Sequence, residues 1–261
     1  MENKEITAFD LLIESHLDLD RQGPGSSEMT LKALSFVENL DENSKVADIG
    51  CGTGGQTMVL AKKLDCHVTG IDMIIDFINT FNDKAIKQDL NNKVKGIVGD
   101  AFELPFEKEE LDLIWSEGMI DSIGFEKALT YWNGFLKKGG YVVVTSPSWL
   151  KTERPDDLAK FWNDAGSGLY SVEDNIKAMQ QSGYSFVSAF TLPEECWTQN
   201  YYVPRSAAEN ELPKKYPNNE MVKAYIKEMK YEVDLYEKYK EIYGYVFYIG
   251  KKCKLNRLDK G

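Results

Sequence analysis

Ten residues, Val46-Ala47-Asp48-Ile49-Gly50-Cys51-Gly52-Thr53-Gly54-Gly55, narrow the possible folds more than any other stretch of the chain. A short apolar run ends in an acid and passes directly into glycines that open a helix. Glycine lets a backbone turn sharply and lets a ligand approach it, because no Cβ stands in the way. A strand running into such a turn suits a nucleotide-type ligand lying across the carboxyl end of a parallel sheet. Asp48 is the costly member of the set, since a carboxylate at the end of a buried strand loses its hydration and needs a partner.

From residue 45 onward, strand and helix patterns alternate. Strands are expected at 45–49, 67–71, 94–98, 111–116, 140–145, 184–191 and 244–250, with helices at about 54–64, 74–87 and 121–137. Strict alternation implies right-handed crossovers and a doubly wound, mostly parallel α/β sheet of seven strands. Gly139-Gly140 before Tyr141-Val142-Val143-Val144 reads as a helix stop followed by a buried strand.

Ahead of this core, residues 5–18 read as a helix with Ile6, Phe9, Leu12, Ile13 and Leu17 along one stripe. A Gly-Pro loop from Arg21 leads to a second helix, from Ser27 to about Leu40. Two segments are surplus to the alternation. The first holds a helix near 155–164 and another opened by Ser171-Val172-Glu173-Asp174, which has the outline of a capping box. The second holds a long helix from about 218, with Val222, Tyr225, Ile226, Met229, Val233 and Tyr236 at helical spacing. The chain therefore reads as one domain, 1–261: an N-terminal helical cap (1–44), a cofactor-binding core (45–145), helical lid insertions (146–183 and 193–241) and a last strand (244–250).

Three further acids recur at strand ends. Gly70-Ile71-Asp72-Met73 lies one strand–helix–strand unit after Asp48, where an acid accepts hydrogen bonds from ribose hydroxyls; the same residue is also suited to capping a helix from Ile74. Val98-Gly99-Asp100-Ala101 closes the third strand and Ile114-Trp115-Ser116-Glu117-Gly118 the fourth. Gly50, Gly52 and Gly55 satisfy the dinucleotide spacing G-x-G-x-x-G. A pyrophosphate would be repelled by these carboxylates, whereas a ligand carrying an amino group and a sulfonium would be attracted.

Asp48-Ile49-Gly50-Cys51-Gly52-Thr53-Gly54 resembles motif I of class I S-adenosylmethionine-dependent methyltransferases, and residues 45–145 resemble the core of the small-molecule members of that family. The resemblance implies a Rossmann-like fold with strand order 3-2-1-4-5-7-6, the last strand antiparallel. It implies S-adenosyl-L-methionine as cofactor. Asp48 would hold its amino end, with Gly50, Cys51, Gly52 and Thr53 supplying the close backbone. Asp72 would bind the ribose, Met73 would pack on the adenine face, and Asp100 and Ala101 would meet the adenine amine and ring. Glu117, or the backbone around Ser116, would border the methyl group. Arg21, beside the Gly-Pro-Gly turn, would pair with the methionine carboxylate.

The bulk numbers exclude other classes. A formal charge of −11 repels nucleic acid and anionic membrane surfaces, so neither is an expected partner. No apolar run has the length of a membrane span. The acid-rich start lacks the cationic head and apolar centre of a signal peptide, which implies a cytoplasmic protein. Four scattered cysteines and two histidines, His16 and His67, imply no metal site.

Methyl transfer is an in-line displacement in which the protein mainly positions donor and acceptor and excludes water. His16 and Glu117 are weak candidates for a base, His16 reading more simply as a helix-surface residue. The small-molecule acceptor is expected under the surplus segments, near Trp149, Trp162, Tyr170, Trp197, Tyr201 and Tyr202, residues that also suit a lid's own core; Arg154 or Arg205 would anchor an anionic acceptor. The acceptor's identity and the oligomeric state are not legible. Two other readings stay open: an NAD(P)-dependent oxidoreductase and a non-enzymatic S-adenosylmethionine-binding protein.

Overall fold

The computed structural model describes residues 6–253, so the ends of the expected N-terminal cap and of the 1–261 domain, Glu5 included, lie outside the described residues. Two helices, α1 (Ala8–His16) and α2 (Ser27–Leu34), precede β1 (Lys45–Ile49). The core continues as α3 (Gly55–Lys63), β2 (His67–Asp72), α4 (Ile75–Lys87), β3 (Val94–Val98), β4 (Leu111–Ser116), α5 (Ile120–Ile123), α6 (Phe125–Asn133) and β5 (Leu136–Trp149). Then follow α7 (Asp156–Asp164), a two-residue β6 (Tyr170–Ser171), α8 (Val172–Gln181) and β7 (Tyr184–Thr191). A helical run of α9 (Glu194–Trp197), a π-helical turn (Thr198–Tyr202), α10 (Val203–Glu209), α11 (Leu212–Lys215) and α12 (Glu220–Tyr239) leads to β8 (Tyr243–Lys252).

One sheet runs β3-β2-β1-β4-β5-β8-β7, with β6 paired to β5 outside that path. Setting β6 aside, this is the expected order 3-2-1-4-5-7-6. The sheet has eight strands rather than seven, because Ser148 and Trp149 at the end of β5 pair with Tyr170 and Ser171. The pairings among β1 to β5 are parallel, while β8 runs antiparallel to both β5 and β7.

Both faces of the sheet are covered, so its strands are apolar nearly throughout rather than alternating. Val46, Val68, Leu113, Trp115 and Val143 pack on one face. Ala47, Ile49, Ile71, Ile114 and Val142 pack on the other. A third cluster, Leu11, Leu212, Val222 and Tyr225, joins α1 to α11 and α12.

Three expected boundaries move for local reasons. The helix expected from Ser27 to Leu40 stops at Leu34, and Asn39 adopts a left-handed φ of 62° that no α-helix continues through. The helix expected over 121–137 is split at Gly124 (φ 93°) and ends at Asn133, where β5 begins earlier than expected. The aromatic side chains Trp149, Trp162, Trp197, Tyr201 and Tyr202 are buried in the protein's own core, with Trp197 stacked on Tyr236 at 4.4 Å between ring centres. No helix among the described residues is long and apolar enough to cross a membrane.

Candidate active site

The parallel register brings the four acids to one end of the sheet. Asp48 lies beside Gly70 on β2 and Trp115 on β4, and Asp72 lies beside Val98 on β3. Glu117 follows β4 directly and Asp100 follows β3 by one residue.

Asp48 is fully buried. Thr57 Oγ1, one turn into α3, donates to Asp48 Oδ2 at 2.5 Å, while Oδ1 has no partner. Burial pushes the Asp48 carboxyl up to about 7, and the nearby charge of Glu117 adds to the effect against the bond from Thr57. Asp72 receives Gly52 N on Oδ2 and Ile74 N on Oδ1, each at 2.9 Å. It thus ties the glycine turn to the end of β2 and also serves the turn before α4. Its pKa is raised by burial, against the pull of those amides. Asp100 is exposed, and its Oδ1 accepts from Phe102 N at 2.7 Å. Met73 and Val98, at the ends of β2 and β3, are 72% and 53% exposed, an apolar surface beside two carboxylates. Ala101 is half-buried, and its carbonyl accepts from Trp132 Nε1.

The glycine turn is crowded by the chain itself. Gly50 and Gly52 have φ of 72° and 54°, a region costly for other residues. A Cβ on Gly50 would strike the Met119 side chain, and one on Gly52 would strike Gln22. Gln22 clasps Thr53 twice: its Oε1 accepts from Thr53 N at 2.9 Å and its Nε2 donates to Thr53 Oγ1 at 3.0 Å. Lys84 Nζ reinforces the same point through Thr53 Oγ1 and Leu19 O. Cys51 is buried at the turn, and burial raises its thiol pKa well above the usual value.

Arg21 does not stand free for a ligand carboxylate. Its Nη1 donates to Glu117 Oε2 at 2.7 Å and its Nη2 to Thr30 Oγ1 at 2.9 Å. Thr30 Oγ1 and Trp115 Nε1 each donate to Glu117 Oε1 at 2.8 Å. Glu117 is therefore fully hydrogen-bonded. His16 is buried rather than on a helix surface; Nε2 meets Tyr201 OH at 3.0 Å and Nδ1 meets Leu12 O at 2.8 Å. Burial pushes its pKa down to about 4, so the ring stays neutral near pH 7. Arg205 is likewise closed off from any acceptor: it pairs with Glu209 at 3.0 Å and Glu232 at 2.6 Å. Arg154 is exposed over the Trp149 ring.

Two clefts flank the turn after β4. A space of about 20 Å³ lies among Arg21, Gly50, Cys51, Glu117 and Gly118. A much larger cleft, about 1240 Å³, opens between α6 and α8 and includes Asp121, Ser146 and Tyr170. Gln22, Thr30 and Asp121 escape a reading of the sequence, because Thr53, Glu117 and Ser167, which they engage, are distant in the chain. Thr57, nine residues after Asp48, was missed too, although a hydroxyl on the first turn of the helix that follows the glycines is a signal the sequence does carry.

Residues 40–203, more than half of the chain, match the family model described as a methyltransferase domain. The chain is 34% identical over 139 residues to the phosphoethanolamine N-methyltransferase of Plasmodium falciparum, covering 52% of this chain and 51% of that one. It is 33% identical over 199 residues to the chloroplastic tocopherol O-methyltransferase of Arabidopsis thaliana, covering 72% of this chain and 52% of that one. The chain thus spans about half the length of these curated relatives. A solved methyltransferase from Geobacter sulfurreducens, in complex with S-adenosyl-L-homocysteine, shares the fold at a TM-score of 0.80 and 18% identity, covering 92% of this chain and 96% of that one.

Proposed function

The chain belongs to the methyltransferase-domain family, and we propose that it transfers the methyl group of S-adenosylmethionine to a small-molecule acceptor. The observation that carries this reading is the unpartnered, fully buried Oδ1 of Asp48 beside the glycine turn. A buried carboxylate without a cation is costly, and the amino group of the cofactor's methionine end is the complement it lacks. Asp72 fits the ribose: each of its oxygens receives one amide and keeps a second lone pair for a hydroxyl. Met73 and Val98 offer the exposed apolar surface on which an adenine would lie, with Asp100 beside it.

When bound, the cofactor supplies an already activated methyl group on a sulfonium. The residues of the chain supply binding and enclosure. Asp48 and Asp72 hold the two polar ends of the ligand, while Arg21 and Glu117 fix the cap loop to β4 and keep water from the strand ends. Because the space between the cap loop and the glycine turn is only about 20 Å³, roughly what a single water needs, the loop carrying Arg21 and Gln22 has to swing outward to admit the ligand. A sulfonium methyl is attacked directly by a neutral amine or a deprotonated acceptor, so a base is needed only for an acceptor that arrives protonated. An oxidoreductase reading places a pyrophosphate among Asp48, Asp72 and Glu117, where like charge opposes it. The test is incubation with methyl-labelled S-adenosylmethionine and a mixture of small metabolites. Label appearing in a small molecule supports the proposal, while binding of NAD in place of S-adenosylhomocysteine overturns it.

A further inference from the structure

Resting on the methyltransferase reading, we propose that the cleft between α6 and α8 is the acceptor site and that it takes a small molecule presenting a protonated amine to Asp121. At about 1240 Å³ the cleft holds a metabolite-sized ligand with room to spare. Asp121 lines it. One carboxylate oxygen, Oδ2, accepts from Ser167 Oγ at 2.8 Å, and the other, Oδ1, is buried with no partner. Among the described residues no Lys, Arg or His forms an ion pair with Asp121. Lys127, at the cleft's rim, lies instead over the Phe102 ring at 4.1 Å.

A hydroxyl would fill the vacant acceptor position but leave the charge uncompensated, whereas an ammonium does both. The walls agree with that choice. Phe102, Phe125, Tyr131 and Tyr170 line the cleft, and aromatic faces attract cations while accepting an apolar frame. Burial, the principal influence on Asp121, raises its pKa, as expected of a carboxylate lacking a cation.

The position suits transfer. Residues 117–119 link the end of β4 directly to α5, which carries Asp121, and the link is pinned to β5 where Gly118 N donates to Thr145 Oγ1 at 2.7 Å. Glu117 and Gly118 border the space beside the glycine loop, and Asp121 borders the large cleft. Met119, between them, lies over Gly50. A nitrogen held by Asp121 therefore sits across this short segment from the donor's place, with Met119 as the partition that has to move. Before it can attack, the ammonium passes one proton to the Asp121 carboxylate, which leaves a neutral amine with a free lone pair.

The experiment is calorimetry on protein saturated with S-adenosylhomocysteine, titrated with matched pairs: 2-phenylethylamine against 2-phenylethanol, and hexylamine against 1-hexanol. The amines are expected to bind about tenfold more tightly than their alcohols, the scale of a charge-assisted hydrogen bond. Asp121→Asn, which keeps the Ser167 bond, should abolish that preference without changing affinity for S-adenosylhomocysteine, and Ser167→Ala should retain it. Equal or absent binding of the two classes in the wild-type protein overturns the proposal without need of any variant. So does a preference that survives in Asp121→Asn. Failure of S-adenosylhomocysteine itself to bind brings down the underlying methyltransferase reading as well.

Discussion

Arg21 Nη1 lies 2.7 Å from Glu117 Oε2, with the two side chains 7% and 5% exposed. This ion pair joins the cap loop to the end of β4, and Thr30 and Trp115 satisfy the oxygen that Arg21 leaves. Removing one partner strands the other charge where water cannot reach it. Arg21→Ala is expected to lower stability by about 3–5 kcal/mol, and Arg21→Ala combined with Glu117→Gln by less than Arg21→Ala alone. Urea unfolding checks both; a loss below about 1 kcal/mol for Arg21→Ala would show the pair to be effectively solvent-screened.

Asp48 makes stability fall with rising pH. Its folded pKa is raised to about 7 from 3.8, so between those values the folded state holds a proton the unfolded state has shed. The carboxylate's burial then costs on the order of 4 kcal/mol above pH 7. Asp48→Asn should gain on the wild type as pH rises from about 4 to 8, while losing affinity for S-adenosylhomocysteine. Parallel stability curves for the two proteins across that range would refute the origin given for the shift.

His16 acts with the opposite sign. Its folded pKa is depressed to about 4 from 6.5, so the unfolded state takes up the proton first as the solution is acidified. Its contribution is complete above pH 6.5 and is lost as pH falls toward 4, by roughly 3 kcal/mol at most. His16→Gln should flatten the stability profile in that window; an unchanged slope would assign the acid sensitivity to other groups.

Gln22 closes the cap loop over the glycine turn through two bonds to Thr53. Net hydrogen bonds of this kind contribute about 1 kcal/mol each, so Gln22→Ala is expected to open the loop more readily and to raise both association and dissociation rates of S-adenosylhomocysteine by about thirtyfold. Stopped-flow fluorescence, reading the buried Trp115 beside Glu117, measures this. Unchanged rates would mean that another segment gates entry.

The parallel core was legible because its signals are local. Each strand is a short apolar run, the first four run into an acid or glycine, and the helices between them repeat at their own period. Asp48, Asp72, Asp100 and Glu117 could be placed at one edge from alternation alone, since parallel strands all end on the same side. The engagements of those acids were not legible. Arg21 and Glu117 are 96 residues apart, and nothing local distinguishes an arginine that awaits a ligand from one that already has a carboxylate. His16 misled for the same reason: its neighbours on α1 suit a surface helix, and the residues that cover this face, Tyr201 on the π-helical turn and Tyr225 on α12, are distant in the chain. The short β6 was invisible because two residues carry no periodicity. The early end of α2 was not legible either: Phe36 N and Val37 N bond back to Ala33 O and Leu34 O, three residues away rather than four, and the apolar spacing does not announce that change.

If the carboxylates at the strand ends form an S-adenosylmethionine site, Asp72, which has a free lone pair on each oxygen, is the residue whose loss the ligand must feel. Calorimetric titration with S-adenosylhomocysteine should give one site on the wild-type protein and a loss of about 1–3 kcal/mol in Asp72→Ala, the scale of lost charged hydrogen bonds. An unchanged affinity in a folded Asp72→Ala variant, or no binding by the wild type, would contradict that assignment.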